Sequence, residues 1–287
     1  MQLDLGSFLL QWATGGLAFL WVTTRHRTVS LGYGWLLRGV YGALGIFAAS
    51  AELRSDHAGM GHSVFLAGTG GLVVAAGVAL AVSVVRRGAG VRGQRVDRER
   101  KAERVAAMVD RPTATANDEP SAPEFPPASD AIAPVLGVVG LLGAAAVSGG
   151  PYALTAVRLV VGGLFLGSVT DAMLLGHWYL TQPGLGRESL SELVRAIAIV
   201  WPLELLALCW PPGMLSVLSG SVDDGYGGLL GWMWAVSVVG TLALVGATWL
   251  ALRERYYSAV MAATGLLYLA LLVAFGTDLL ARVLLSP

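Results

Sequence analysis

The chain has 287 residues, of which 55% are hydrophobic and 13% charged, with nineteen basic and nineteen acidic side chains. That charged share, about half that of an ordinary soluble domain, excludes a water-soluble globular body, and the even balance of charge gives no reason to expect a nucleic-acid partner. The single cysteine, Cys209, excludes an intrachain disulfide and any multi-cysteine metal or iron–sulfur site.

A membrane span needs about 20 mostly apolar residues to cross roughly 30 Å of hydrocarbon. The hydropathy pattern predicts eight such helices, over residues 5–24, 31–53, 63–85, 131–148, 152–180, 193–210, 228–252 and 257–280. The fourth is the shortest. The expected fold class is therefore all-α: a compact, glycine-rich, polytopic membrane bundle of about eight transmembrane helices. Asp4 stands where a signal peptide would carry basic residues, so the N-terminal apolar run reads as the first span.

Basic residues set the orientation, because cytoplasmic loops retain Lys and Arg. With both termini outside, Arg25 and Arg27, the nine basic residues from Arg86 to Arg111, Arg187, Arg195, Arg253 and Arg255 all fall on the inner side. This places the chain in the cytoplasmic membrane, with the lipid bilayer as its first partner. Residues 1–85 form a three-span half and residues 131–287 a five-span half. Between them, residues 86–130 begin as a basic segment, with a weak stripe of Val96, Val105, Met108 and Val109 that could lie on an anionic leaflet or be simply solvated. From Pro112 to Asp130 the composition turns to Pro, Ser, Ala, Thr and acids, which predicts a linker.

Glycine is abundant, with 38 residues, and much of it lies inside the spans, as at Gly39, Gly42, Gly45, Gly162, Gly163 and Gly167. Small residues three or four apart let helix backbones approach closely in lipid. Neither Gly70-Gly71 nor Gly162-Gly163 follows a strand, so neither predicts a phosphate loop. The helices around Arg38 and Arg158 share a faint likeness that chance explains better than a repeat.

Ionisable groups in the spans carry the functional argument, since a charge at mid-bilayer costs roughly 2.5 to 3.5 kcal/mol even on the lenient insertion scale. Towards the outside lie Glu52, Arg54, Arg158, Glu204, Asp278 and Arg282, a set close to neutral that predicts an ion-pair network. Asp278 and Arg282 are spaced to pair on one helix face. Pro202, two residues before Glu204, removes a backbone donor and makes room for water or a ligand. Deeper lie Arg38 and Asp171, and Arg38 is the expected partner of Asp171; left unpaired, Asp171 could carry a proton. Arg158, thirteen residues from Asp171, is expected to pair with Glu204 or Asp278. His177, beside Trp178 and Tyr179, falls at the inner interface.

Three functions remain open. The first is the binding or passage of a small solute or ion, with proton coupling, through Arg38, Arg158, Asp171, His177, Glu204 and Asp278. The second is a redox subunit, with haem between His26 and His177 or a quinone against the aromatic inner end of the fifth span. The third is a structural or assembly subunit whose glycine-lined faces bind partner helices or a second copy. The loop that holds His57, Met60 and His62 reads first as an ordinary glycine turn, with a soft ligand set for copper or zinc as the weaker alternative. Asp223-Asp224 reads as turn chemistry, with cation binding as the weaker alternative. The sequence carries no catalytic motif that would assign a reaction.

Overall fold

The structure is a computed structural model and describes residues 4–96, 99, 123–182, 186–211 and 213–285. Among them the long elements are all α-helices: α1 Leu5–Thr24, α2 Leu31–Glu52, α3 Met60–Val85, α4 Ile132–Val147, α5 Tyr152–Thr181, α6 Glu188–Cys209, the short α7 Met214–Leu218, α8 Leu229–Arg253 and α9 Tyr257–Leu284. Six segments, built on α1, α3, α4, α5, α8 and α9, are long and apolar enough to cross a membrane. Helices α2 and α6 have the length, 22 residues each, but not the composition. The first carries Arg38 and Glu52, the second Glu188, Glu192, Arg195 and Glu204.

Helix α4 is only 16 residues long, and a 3-10 turn over Pro127–Ala131 extends it to a crossing length of 21 residues. That turn corrects the linker expectation for residues up to Asp130. Phe125 and Asp130 are buried, so the end of the connection is docked on the bundle. The apolar stripe at Val105, Met108 and Val109 and the linker from Pro112 to residue 122 lie outside the described residues.

Helix α5 is the axis of the bundle. Of its most apolar stretch 78% is buried, against 28% for α8. It packs on α1, α6, α9 and α4, while α3 lies against α2 and α4, and α8 against α9 and α6. The close approach of α1 and α5 depends on missing side chains: a Cβ on Gly15 would overlap the Gly163 carbonyl, and one on Gly167 would overlap the Gly15 backbone. Backbone contact of this kind replaces the hydrophobic drive that lipid removes. One step along α1, Gly16 gives its space to the ring of Tyr41 from α2. The residues aligned across each seam set the helix directions, so both ends of the described chain fall at one end of the bundle, here called the terminal end. The connections after α1, α3, α5 and α8 fall at the other, the loop end.

At the terminal end, Asp224 starts α8. Its carboxylate accepts the backbone N–H groups of Gly228 (2.8 Å), Tyr226 (3.0 Å), Leu230 (2.8 Å) and Gly231 (3.3 Å). The Gly228 N–H first, with the other three, holds the Asp224 carboxyl below its ordinary value. The sequence reading of turn chemistry at this pair describes what Asp224 does.

Two outcomes follow from this packing. Gly15→Ala should lower the melting temperature in detergent, at a cost of about 1–3 kcal/mol for overpacking a backbone seam, whereas Gly39→Ala, with open space around its Cβ position, should not. Because the folded-state pKa of Asp224 is depressed, its stabilisation is present above the ordinary carboxylate range and is lost as pH falls through the lowered value. Melting curves of Asp224→Asn should therefore fall below those of the parent at neutral pH and converge with them in acid.

Candidate intramembrane carboxyl sites

Six of the buried charges are met in three side-chain clusters or, for Arg158, by helix-end carbonyls, and two acids stand apart. At the terminal end, Arg282 Nε donates to Asp278 Oδ2 at 2.8 Å, as the i,i+4 spacing predicts. The cluster is completed by α1: Arg282 donates to Gln11 Oε1 and to Ser7 Oγ (3.2 Å), and Gln11 Nε2 donates to Asp278 Oδ1 at 3.1 Å. Arg282 also lies over the Phe8 ring, 5.4 Å from its centroid. Its side chain is fully buried, so this closed set satisfies a charge that water cannot reach.

The expected outer network does not extend beyond that pair. Arg158 reaches neither oxygen of Glu204, because its guanidinium is drawn to the end of α6, where Nε donates to the Ala207 carbonyl (3.0 Å) and Nη2 to that of Trp210 (2.9 Å). A cation at a helix C-terminus satisfies carbonyls that have no intrahelical donor. Arg54 is likewise turned to a carbonyl, that of Ser50, at 3.0 Å.

Glu52, the remaining outer acid, is clasped by two histidines. His57 Nδ1 is 3.2 Å from both carboxylate oxygens, and His62 Nδ1 is 2.8 Å from Oε1. Met60 is 84% exposed and takes no part. The three-residue set His57, Met60 and His62 is therefore not assembled, and among the described residues no group of three or more His, Cys, Asp or Glu side chains is arranged to hold a metal.

At the loop end, Arg38 does not pair with Asp171. Its Nε and Nη2 donate to Oδ1 and Oδ2 of Asp130, both at 2.7 Å, in a buried two-point pair that the Thr24 hydroxyl joins at 2.8 Å. The Phe125 ring covers the guanidinium at 4.4 Å. The physical reason for the correction is the docked 3-10 turn: it brings a carboxylate to Arg38 in a geometry that matches the guanidinium fork.

Asp171 and Glu204 are left. Asp171, fully buried in the middle of α5, accepts the Tyr41 hydroxyl on Oδ1, while its backbone carbonyl accepts that of Tyr33 at 3.3 Å. Oδ2 has no partner among the described residues. Glu204, 2% exposed, has no hydrogen-bond partner on either oxygen among the described residues. It lines a narrow cavity of about 10 Å³ with Phe165, Trp201, Leu205, Leu208, Trp234, Val238 and Thr277, beside the proline that interrupts the hydrogen bonding of α6. The Trp234 Nε1 donor in that wall also has no partner among the described residues. Buried polar atoms without partners are rare, and here an orphan donor and an orphan carboxyl share one cavity.

The histidines considered for haem are not brought together. His26 contacts Glu192 at 2.9 Å from the start of α6, and His177 Nδ1 is 3.2 Å from the Tyr268 hydroxyl on α9. Trp178 donates to Ser30 Oγ at 3.0 Å and meets the Tyr33 ring edge-on. Sequence reasoning missed Ser7, Gln11, Tyr33 and Tyr41, uncharged polar residues that blend into apolar runs. Gln11 carried one usable signal, since an amide within a span must find a partner.

Neither a protein-family model, nor a curated protein, nor a solved structure matches this chain. Fold and site together define the class: an all-helical protein whose long apolar helices fit membrane embedding, with two unsatisfied carboxyls in its interior.

Removing Asp130 tests the loop-end pair. Asp130→Ala should destabilise the protein by about 3–5 kcal/mol, because it leaves the Arg38 charge buried and unpaired, and the double variant Arg38→Met/Asp130→Leu should recover most of that loss. Denaturation in mixed micelles, followed by tryptophan fluorescence, measures both.

Proposed function

We propose that the protein is an eight-span protein of the cytoplasmic membrane, termini outside, that moves protons, alone or coupled to a small solute or cation, by way of Asp171 and Glu204. The observation that carries the reading is the pair of enclosed carboxyls with unpartnered oxygens, set on the adjoining helices α5 and α6. A bare carboxylate in such surroundings is costly, so each site is built to take a proton, a water or a cation. The buried arginines, by contrast, are held by carboxylates or carbonyls, which makes them poor carriers and good anchors.

Helices α2 and α6 count as spans on this reading: Arg38 and Glu52 on α2 and Glu204 on α6 are buried, and the other charges of α6, Glu188, Glu192 and Arg195, lie towards its loop-end start. The inside assignment of the loop end rests on the basic residues gathered there. Phe165, in the wall of the Glu204 cavity, is six positions from Asp171 on the same helix, about 9 Å along the axis. A proton crossing that gap needs transient water. The Tyr41 hydroxyl is the natural gate, because rotating it away frees the second oxygen of Asp171.

Purified protein in vesicles loaded with a pH-sensitive dye tests the proposal under an imposed potential. Parent protein should pass protons faster than empty vesicles. Asp171→Asn and Glu204→Gln should each reduce that flux about tenfold or more, and Tyr41→Phe should change its pH profile. A flux that is absent from the parent, or unchanged in the folded double variant, rejects the function.

A further inference from the structure

A second cavity lies at the loop end, away from both carboxyls, and the unpartnered side-chain group in its wall is a donor. It measures about 40 Å³, and its wall includes Thr24, Arg27, Ser30, Gly34, Arg38 and Glu124. Arg38 is 3% exposed, and its Nη1 has no partner among the described residues, because Asp130 takes only Nε and Nη2. Nη1 lies beside Gly34, where a Cβ would come within 2.8 Å of it, so the glycine keeps the approach to this nitrogen open. Ser30 Oγ accepts the Trp178 indole N–H, which leaves its own hydrogen to give. Arg27, half-exposed at the rim, sits in the left-handed region with φ 53°. Non-glycine residues are held there when surrounding contacts demand it, often at binding sites.

The one carboxylate of the wall, Glu124, and Asp130 behind Arg38 are already taken. Glu124 accepts from Arg27 at 3.1 Å and from Arg95, while its backbone carbonyl accepts from Arg86 at 3.1 Å. Asp130 is filled by Arg38 and Thr24. A cavity that offers N–H and O–H groups, with its carboxylates neutralised by arginines, selects an acceptor-only ligand. We infer that this cavity is a binding site for an anionic phosphate group, seated on Arg38 Nη1, Ser30 Oγ and the Arg27 guanidinium. The group belongs either to a lipid headgroup of the adjoining leaflet or to a soluble phosphate. The site is independent of the proton pathway proposed above, and its occupancy would fasten the docked end of the α3–α4 connection to the bundle through Arg38.

The test uses the full chain, delipidated in a neutral detergent, and reads the melting temperature while phosphatidylglycerol, phosphatidylcholine or inorganic phosphate is titrated in. The expected result is a saturable rise with phosphatidylglycerol, inorganic phosphate or both, and none with phosphatidylcholine. Ser30→Ala and Arg27→Asn, the latter chosen because asparagine tolerates the left-handed backbone, should each weaken the apparent affinity about tenfold, the loss of one charge-assisted hydrogen bond. Response to the lipid alone assigns a headgroup; response to phosphate at equal strength assigns the free anion. If neither probe gives a saturable shift, or if both variants bind as the parent does, the site is rejected. Arg27→Asn keeps the test decisive even if Ser30→Ala, which strands the Trp178 donor, fails to fold.

Discussion

Backbone contact between α1 and α5 is the constraint from which the rest of the interior follows. Gly15, Gly163 and Gly167 let the two helices touch without intervening side chains. At that distance Gln11 can reach Asp278 and Arg282 on α9, past the Cβ-free edge of Gly162. The adjoining Gly16 admits the Tyr41 ring, whose hydroxyl then lands on Asp171. A side chain at the seam would move both polar clusters apart, so the glycines position the chemistry as well as the packing.

Burial of charge is resolved by position along the helices. Near helix ends, guanidinium groups find free carbonyls, as Arg158 does on α6 and Arg54 on its own helix. Elsewhere a carboxylate meets the guanidinium, supplied by the docked 3-10 turn at Arg38 and from one turn back on the same helix at Arg282, and at Arg38 only Nη1 is left over among the described residues. Asp171 and Glu204 lie in helix interiors, where the backbone groups are already bonded within the helix and offer nothing to a side chain. That is why unsatisfied atoms concentrate there.

The helices were legible in the sequence, because a run of apolar residues long enough to cross lipid leaves little freedom in its placement. The span expected at residues 5–24 coincides with α1, and most other boundaries shift by a few residues, α6 starting five earlier at Glu188. Local pairings were legible too: Asp278 and Arg282 are neighbours on one helix face whatever surrounds them. Tertiary partners were not. Arg38 was assigned to Asp171 because depth was the available guide, and Asp130 was passed over because it closes a stretch whose composition reads as linker. Phe125 and the 3-10 turn after it bury that carboxylate, an outcome that no property of the isolated segment specifies. Gln11 and Tyr41 were overlooked for a related reason: hydropathy registers how much polarity a span carries, whereas function depends on which neighbour the polar atom faces.

The separation of the two carboxyls along the bundle constrains any mechanism that uses both. If Asp171 and Glu204 shared one cavity, their charges would be coupled, and loading one would oppose loading the other. The Glu204 cavity touches α5 only at Phe165, about 9 Å along the axis from Asp171, so the two carboxyls share no cavity wall and a pathway through both needs each to change state in turn. A pathway of this type needs no large helix movement. Rotation of Tyr41 at one station and entry of a water between Trp234 and Glu204 at the other are side-chain events, compatible with a bundle whose central helices are locked at the backbone.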